Sequence, residues 1–545
     1  MTAPQITASP RTQGEFASAG PRQATEDFLL KVMSSREKWH FRFLVAAWSA
    51  GLLVFYFWWF RSDHMTSVFR FAANSFLLAS TLTMPAYFFF FVSRMKRTNP
   101  RIPLPTDWRV AMITTRAPSE PFSVVKRTLE AMLAQDFPHD TWLADEDPTE
   151  EIYLWCKAHG VQVSTRKGVV EYHRDSWPRR TRCKEGNLAY FYDHYGYDRY
   201  DFVVQMDADH EPGCGYLEAM LRPFVDPSVG YVSAPSVCSK NSASSWSARG
   251  RLYSESILHG PLQAGFSNGF APLCIGSHYA VRTKALREIG GLGPELAEDH
   301  STTLMMNGNG WRGVHALDAV AYGEGPPTLA DCITQEFQWS RSLMVVLLTV
   351  MPKYWSRLPR RLRFQFLFSE IWYPLFGGTM LFGTALPVFA VLSGEPWARV
   401  SYLEFLFHTI PVVILTLAVL AFLKRHGWLR PADIPLLSWE VALFQLIRWP
   451  WVVYGSLMGI VMVVRRRHVV FRVTPKGARN PASLSWRILL PYALVVVLTF
   501  LPALLVEDAR DAKGYYFFLI LSQVVYMTAL FSIVLIHFHE VTQSD

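Results

Sequence analysis

The sequence contains few charged residues for its length. Of its 545 residues only 18% are Asp, Glu, Lys or Arg, whereas 50% are hydrophobic and 14% are aromatic. The chain is longer than one ordinary soluble domain and too apolar to be wholly soluble. The composition therefore excludes a purely soluble protein and predicts membrane-spanning segments.

Two further absences narrow the class of protein. Residues 1 to 25 are rich in Ala, Ser, Thr, Gln and Pro, which is typical of disorder, and the first apolar stretch begins only at Phe43. A cleavable signal peptide is therefore not expected. No CxxC pair occurs among the six cysteines, which argues against zinc or redox sites and predicts free thiols packed as small apolar side chains. The cysteines are Cys156, Cys183, Cys214, Cys238, Cys274 and Cys332.

Six uncharged stretches are long enough to cross a membrane. Each approaches or exceeds the roughly 20 residues that a helix needs to span a bilayer. They are Phe43 to Phe60, Phe71 to Val92, Ile371 to Gly394, Phe405 to Leu423, Ile488 to Val506 and Gly514 to Ile536.

A seventh apolar stretch, Val441 to Val464, contains Arg448. A charge inside a span is costly, so we expect this stretch, like Tyr354 to Phe364, to lie in the membrane plane or to be re-entrant. A crossing orientation stays open, because a long arginine side chain can extend to the interface.

Basic residues are concentrated in alternate loops. Arg and Lys cluster after the second stretch, before the third, after the fourth and before the fifth, whereas the intervening loops hold few. By the positive-inside rule, both termini and the large middle segment face the cytoplasm of a plasma membrane, which we expect to be a bacterial inner membrane. The formal charge of +8 then reflects topology and contact with anionic lipids, and no nucleic-acid partner is expected.

These features divide the chain into nine parts. In chain order they are a polar, partly disordered N-terminus (1–40), two transmembrane helices (41–92), a cytoplasmic catalytic domain (93–350), an interfacial helix (351–370), two transmembrane helices (371–423), an interfacial or re-entrant segment (424–464), a loop (465–487), two transmembrane helices (488–537) and a cytoplasmic tail (538–545).

The middle segment alternates short apolar runs with helical patterns. Val110 to Ile113, Thr141 to Ala144, Val161 to Ser164 and Phe202 to Met206 read as strands, and Glu150 to Gly160 reads as one of the helices between them. This alternation predicts a doubly wound α/β domain that binds its ligand at the carboxyl ends of the strands.

Acidic residues follow the last of these strands. Asp207 and Asp209, separated by one residue at a strand end, can both reach a divalent cation that bridges a diphosphate. Such a pair is also common in solvated loops and helix caps. Placed after an apolar strand, it predicts a site for Mg²⁺ or Mn²⁺.

A second acidic pair supplies a candidate base. Transfer of a sugar with inversion needs a group that takes the proton from the acceptor hydroxyl, and a partly desolvated carboxylate can do so. Asp299 is the expected base, with Glu298 as the competing candidate and helix capping as the structural alternative.

A third motif lies just before the membrane resumes. Trp339 can stack on a sugar ring, while Gln335, Gln338 and Arg341 can hold hydroxyl groups or phosphate oxygens. An interfacial tryptophan without such a role is an equally good interpretation of Trp339 alone.

Together these motifs resemble the processive family 2 glycosyltransferases, which include cellulose, mixed-linkage glucan, curdlan, chitin and hyaluronan synthases. The resemblance runs from about residue 40 to 540 and implies a GT-A-like domain inserted between membrane helices. Its most discriminating match is Phe471-Arg472-Val473-Thr474-Pro475-Lys476, similar to the FxVTxK gating loop of cellulose synthases. The resemblance makes Phe471, Val473, Thr474 and Lys476 nucleotide contacts.

Other roles follow from the same resemblance. Lys184, in a sequence similar to the KAGN element, would meet the diphosphate, and Asp207 would join it in nucleotide-sugar binding. Asp145, with Asp147 beside it, stands where the family binds uridine. Cys274 and Gly276 would line the acceptor site.

Three departures from the family pattern matter. Gln338 replaces the QxxRW arginine that binds diphosphate, and Arg341, one helical turn later, could reach the same phosphate. The TYNE nucleotide motif appears as Thr114-Thr115-Arg116-Ala117, with Thr115 as the expected contact. No cyclic-dinucleotide-binding domain is expected after the last span.

We therefore expect an inverting, processive synthase that makes a β-glucan from UDP-glucose and moves it across the membrane. Its partners would be a UDP-sugar, a growing polysaccharide and the bilayer, with a homo-oligomer or an outer accessory subunit left open. The alternatives are a non-processive enzyme acting on a lipid, a chitin- or hyaluronan-type synthase using UDP-N-acetylglucosamine, and a non-catalytic nucleotide-sugar sensor.

Overall fold

The computed structural model describes residues 28–294, 297–465, 484–506 and 512–544. Within them an α/β domain lies in the chain between two groups of long apolar helices. The strands are β1 (Leu29–Lys31), β2 (Lys96–Thr98), β3 (Val110–Arg116), β4 (Asp140–Asp145), β5 (Gln162–Ser164), β6 (Phe202–Met206), β7 (Glu211–Pro212), β8 (Val229–Ser233), β9 (Ser236–Val237), β10 (His278–Arg282), β11 (Arg312–His315) and β12 (Ala321–Tyr322).

The helices fall into an N-terminal group, a domain group and a C-terminal group. The first is α1 (Ser35–Trp59), α2 (Val68–Leu82) and α3 (Pro85–Val92). The second is α4 (Phe122–Leu133), α5 (Glu150–Ala158), α6 (Lys184–Phe191), α7 (Tyr197–Arg199), α8 (Tyr216–Leu221), α9 (Trp246–Ser254), α10 (Gln263–Phe266), α11 (Thr283–Glu288), α12 (Glu298–Gly308), α13 (Leu329–Val345) and α14 (Met351–Tyr354). The third is α15 (Arg360–Ser393), α16 (Tyr402–Arg425), α17 (Trp439–Arg465), α18 (Trp486–Leu505) and α19 (Lys513–Ser544).

A seven-stranded sheet in the order β11-β8-β10-β6-β3-β4-β5 forms the centre of the domain. All neighbours pair in parallel except β10, which runs antiparallel to both β8 and β6. Every strand predicted from the sequence is present in this sheet. The sheet is therefore mixed, since β10 pairs with β6 in the antiparallel direction over five residues.

Helices cover both faces of the sheet. Along β3, Val110 and Met112 join one apolar core, whereas Ala111 and Ile113 join the core on the other face. Side chains alternate between the faces of a strand, so an uninterrupted apolar run is what a strand buried on both faces requires. The predicted α/β domain between membrane helices is confirmed.

Seven helical segments are long and apolar enough to cross a membrane, among the residues that the structure describes. Six coincide with the six predicted spans. The additional one is α17, which contains Arg448. By length and composition, the described helices therefore include one more candidate membrane span than the six predicted from the sequence.

The Arg448 side chain is compensated within the protein. It is 8% exposed, its guanidinium lies 3.2 Å from the Glu336 carboxylate of α13, and it covers the rings of Phe376 and Phe444 at 4.4 and 5.0 Å. A paired and shielded arginine does not carry the cost of an isolated charge in lipid. The sequence reasoning treated Arg448 as unpaired, because Glu336 is more than 100 residues away in the chain.

Helix α17 packs closely along α13 of the α/β domain. A Cβ atom on Gly455 would collide with Ser340 Oγ and lie 2.5 Å from the Phe337 carbonyl oxygen, and one on Gly459 would lie 2.8 Å from the Arg341 carbonyl oxygen. Small residues spaced by four positions allow two helix backbones to approach in this way. An in-plane orientation of α17 on the domain stays a prediction.

Helix α15 differs from the expected division of the chain. It runs without interruption from Arg360 to Ser393, so the end of the predicted interfacial segment and the span after it form one helix. The domain is thus joined to the predicted span by one uninterrupted helix. Helix α15 contacts α13 and α17 as well as α2, α18 and α19.

Candidate active site

The site lies where several strands end at one edge of the sheet. Asp207 follows β6, and Thr115 and Asp145 are near the ends of β3 and β4, which are the next two strands. Since parallel strands present their carboxyl ends at the same edge, three motifs that are distant in sequence become neighbours.

A lysine links the acidic motif to the expected acceptor segment. Lys184, at the start of α6, donates to Asp207 Oδ1 at 2.7 Å and to the Gly276 carbonyl oxygen at 2.6 Å. The Asp207 backbone N–H donates to the Ser277 carbonyl oxygen at 2.7 Å. These bonds bring the KAGN-like element, the DxD pair and the Cys274–Ser277 segment to one place.

Three side chains could hold a metal ion here. Asp207, Asp209 and His210 each offer a ligand atom, and these atoms lie within 4.8 Å of one another. Asp209 is 2% exposed and accepts the backbone N–H of Glu324 at 2.9 Å. Two carboxylates suit Mg²⁺ or Mn²⁺, so the donor set fits the expected divalent ion.

Glu298 and Asp299 are adjacent in sequence but lie in different environments. Both are in the first turn of α12. Glu298 is buried, and burial together with the charge of Asp299 raises the pKa of Glu298 to about 8. Asp299 is half-buried and faces the site, since a Cβ atom on Gly276 would lie 3.1 Å from Asp299 Oδ2.

The first turn of α12 is held by its neighbours. Asp299 Oδ1 accepts the backbone N–H of His300 at 2.8 Å. The Thr303 hydroxyl donates to the Asp299 carbonyl oxygen and accepts the Cys274 N–H at 2.9 Å. Cys274 itself is fully buried beneath α12, so its side chain supports the site, whereas Gly276 borders it.

The expected uridine residues form ion pairs in this structure. Both oxygens of Asp145 accept from Arg116 at 3.0 Å, and burial raises the pKa of the Asp145 carboxyl group. Asp147 is exposed and pairs with Lys167. Arg116, which sequence reasoning noted only as a departure from the nucleotide motif, thus holds Asp145 in place.

The expected acceptor residues are organised by an arginine from α9. Arg251 donates to Gln335 Oε1 at 2.7 Å, and its guanidinium lies 4.3 Å from the centre of the Trp339 ring. Glu255 fixes the other side of this guanidinium at 3.1 Å. One face of Trp339 is therefore covered by a cation, in the geometry of a cation–π contact.

Gln338 and Arg341 are buried in the middle of α13. The Arg341 guanidinium lies 5.3 Å from the centre of the Phe337 ring. The role of Arg341 as a substitute for the missing family arginine stays a prediction. The expected loop contacts Phe471, Val473, Thr474 and Lys476 lie outside the described residues.

One more ionisable pair borders the site. His300 Nδ1 lies 3.4 Å from Glu370 Oε1, on α15. Burial alone would lower the pKa of His300, but the Glu370 hydrogen bond and charge raise it to about 9. Sequence reasoning missed this pair, because no spacing rule connects residues 70 positions apart.

Comparison with known proteins agrees with this geometry. The family model described as "Glycosyl transferase family group 2" matches residues 202–424, which include the DxD pair, Glu298, Asp299 and α13. Residues 202–424 therefore match the family 2 glycosyltransferases. The predicted resemblance to this family is confirmed.

Curated relatives match the chain at low identity. A cellulose synthase 1 catalytic subunit (UDP-forming) of Komagataeibacter xylinus is 26% identical over 281 residues, covering 48% of this chain and 35% of that protein. A cellulose synthase catalytic subunit (UDP-forming) of Pseudomonas fluorescens is 22% identical over 409 residues, covering 72% of this chain and 51% of that protein. The chain thus spans about half the length of these relatives or less.

Among solved structures, a mannosyltransferase from Pyrobaculum calidifontis in complex with GDP-mannose and Mn²⁺ matches with a TM-score of 0.43 and 15% identity. That match covers 72% of this chain and 99% of the other. A glucosyl-3-phosphoglycerate synthase from Mycobacterium tuberculosis, with UDP and Mn²⁺ bound, matches with a TM-score of 0.29 and 13% identity, over 43% of this chain and 81% of the other.

Proposed function

We propose that the protein is a membrane-embedded, inverting and processive glycosyltransferase, which makes a β-glucan from UDP-glucose and moves it across the membrane. The observation that carries this proposal is the arrangement around Gly276. Its carbonyl oxygen accepts from Lys184, which also donates to Asp207, and its Cα faces Asp299. The proposed diphosphate contact and the proposed base would thereby lie on either side of Gly276, at the same edge of the sheet.

The donor would bind at the DxD side of this edge. Asp207 and Asp209 would hold Mg²⁺ or Mn²⁺, which when bound neutralises charge on the UDP leaving group. Lys184 would exchange its contact with Asp207 for a phosphate oxygen, which an ammonium group binds as a point charge. Thr115, Asp145 and Asp147, together with the 471–476 loop, would contact the nucleotide.

Asp299 would act as the base. As the acceptor hydroxyl oxygen forms a bond to the anomeric carbon, the bond from that carbon to the UDP oxygen breaks and its electron pair leaves with UDP. The hydroxyl proton passes to the Asp299 carboxylate, and attack from the side opposite UDP inverts the anomeric centre. Glu298 is a poor candidate, because its raised pKa keeps it protonated near neutral pH.

The acceptor end of the glucan would lie between Gly276 and α13. Arg251 covers one face of Trp339, so a sugar ring would stack on the other face and Gln335 would bind a hydroxyl group. The polymer would continue outward between the C-terminal helices. This requires the domain and both termini to be cytoplasmic, as the distribution of basic residues predicts.

The decisive experiment is turnover of the purified protein in lipid vesicles with a panel of labelled UDP-sugars and Mg²⁺ or Mn²⁺. Released UDP and product length are scored together. Long product from UDP-glucose supports the proposal. UDP release with long product from UDP-N-acetylglucosamine would show that this sugar nucleotide, and not UDP-glucose, is the donor. No turnover with any donor would favour a nucleotide-sugar sensor.

A second candidate is a non-processive enzyme that glycosylates a lipid. Gln338 favours it, because loss of the family arginine removes one contact that holds the donor during repeated transfer. This candidate predicts UDP release with a single lipid-linked product, whereas processive synthesis predicts chains that stay bound between additions.

A further inference from the structure

The structure contains a buried charged contact that joins the base to a membrane helix. His300 follows Asp299 directly in α12, and its Nδ1 lies 3.4 Å from Glu370 Oε1 in α15. The Glu370 side chain is 0% exposed, whereas that of His300 is 20% exposed. Neither residue has a role in the function proposed above.

The buried Glu370 carboxylate has few hydrogen-bonding and charged partners among the described residues. Its Oε2 atom accepts no hydrogen bond within the described residues, and His300 is the charged partner that the structure gives to Oε1. A buried carboxylate without compensation is costly, and such groups in apolar helices are usually retained for function. The contact is therefore more than incidental packing.

His300 also fixes the carboxylate of Asp299. Its backbone N–H donates to Asp299 Oδ1 at 2.8 Å, which leaves Oδ2 directed toward Gly276. Any shift of the His300 backbone would move Oδ2 relative to the acceptor segment. Small displacements of a base from its proton lower the rate of proton transfer strongly.

We propose that His300 and Glu370 form a positioning pair, which locks the first turn of α12 against α15 and holds the Asp299 carboxylate aligned with the acceptor hydroxyl. This inference rests on the proposed function, because it assigns Asp299 as the base. It adds a specific consequence, namely that the position of a membrane helix sets the geometry of the carboxylate proposed as the base.

The electrostatics agree with this geometry. Glu370 from α15 and Asp299 from the same helix both act on His300. Burial opposes the imidazolium form, but the hydrogen bond and charge of Glu370, together with the charge of Asp299, raise the pKa of His300 to about 9, so the side chain is cationic near pH 7. A cationic His300 strengthens the contact with Glu370 and therefore the attachment of α12 to α15.

The test compares His300→Gln, Glu370→Gln and the double variant in vesicles, with His159→Gln as control. His159 is an exposed histidine stacked on Trp155, away from the site. In both single variants we expect kcat to fall about tenfold, because the base is displaced from the acceptor hydroxyl. The KM for UDP-glucose should change less than about twofold, since donor binding does not use the pair.

The double variant distinguishes a pair from two independent effects. If the residues act as a unit, the double variant loses no more activity than either single variant. Additive losses of kcat, or a kcat equal to that of the wild type in both single variants, would overturn the inference. UDP binding and thermal unfolding of each variant separate this effect from misfolding.

A measurement without turnover keeps the inference separate from the proposed function. The histidine signal that disappears in His300→Gln can be followed by NMR in labelled protein as the pH is changed. We expect its pKa to fall by more than one unit in Glu370→Gln and by less in Asp299→Asn. An unchanged titration in both variants would refute the pair even if no sugar donor were turned over, whereas failure of turnover with this titration intact would refute only the proposed function.

Discussion

At the scale of single residues, the site depends on the different environments of two neighbouring carboxyl groups, those of Glu298 and Asp299. Glu298 is 8% exposed and turned into the domain, whereas Asp299 faces the Gly276 segment. Two carboxylates this close cannot both ionise easily, and the more buried one keeps its proton. The structure thus places the expected base, Asp299, and the competing candidate, Glu298, in different environments.

This difference predicts opposite outcomes for two isosteric changes. Asp299→Asn should lower sugar transfer at least about a hundredfold, because it removes the proton acceptor, and leave UDP binding nearly intact. Glu298→Gln should keep activity within about tenfold at pH 7, since an amide resembles the protonated acid. Initial rates of UDP release and equilibrium UDP binding measure both. The reverse ranking of the two variants would move the base to Glu298.

Arg251 is a second residue whose role emerges only from the structure. We expect Arg251→Met to raise the concentration of acceptor needed for half-maximal rate by about tenfold, because Gln335 and Trp339 lose the group that orients them. Arg287→Met is the matched control, since Arg287 also covers an aromatic ring, that of Tyr197, but is exposed on α11. The measurement is the transfer rate as a function of acceptor oligosaccharide concentration, at saturating UDP-glucose. An effect on the donor KM alone would contradict this role.

Sequence reasoning located the acidic residues but not their supports. Asp207, Asp209 and Asp299 stand in short motifs whose spacing has a chemical meaning. The pairs Arg251–Gln335 and His300–Glu370 join residues 84 and 70 positions apart, so no local pattern reveals them. Side chains that orient other side chains depend on tertiary packing, which a single sequence does not display.

At the scale of elements, apolar patterning predicted the strands and spans well. The runs that became β3, β4 and β6 are buried on both faces, and such runs are recognisable by composition. The direction of β10 was not recognisable, since pairing direction leaves no mark in one strand's own sequence. The continuity of α15 and the packing of α17 on α13 were hidden for the same reason, because both depend on partners.

The contact between α17 and α13 makes a stability prediction. Gly455→Ala places a methyl group against Ser340 and the Phe337 carbonyl, so the helices must separate, at a cost of about 1–3 kcal/mol. Acceptor use should weaken as well, because α13 carries Trp339. Gly378→Ala on α15 is the control, since its new methyl group meets no atom within 4 Å. Thermal unfolding in detergent and acceptor titration are the measurements, and equal behaviour of the two variants would exclude a tight α13–α17 contact.

At the scale of the whole molecule, the orientation of α17 determines how many times the chain crosses the membrane. If it lies in the membrane plane, six helices cross, and residues 466–483 are on the same side as the glycosyltransferase domain. If it crosses, those residues are on the opposite side and cannot contact a donor bound at Asp207. The proposed contacts from Phe471, Val473, Thr474 and Lys476 therefore require the in-plane orientation, which the packing against α13 and the compensated Arg448 allow.

Labelling with a membrane-impermeant maleimide tests this directly. Cys214 is the one exposed cysteine among the six, so in inverted vesicles it should react, and in intact cells it should not. Cys214→Ser removes that signal and provides the background for two new cysteines. Ser485→Cys, exposed just before α18, should then label from the same side as Cys214, and Asp63→Cys, exposed after α1, should label from the other side. Labelling of Ser485→Cys together with Asp63→Cys would show that α17 crosses, and the 471–476 loop would lose its proposed role in donor binding.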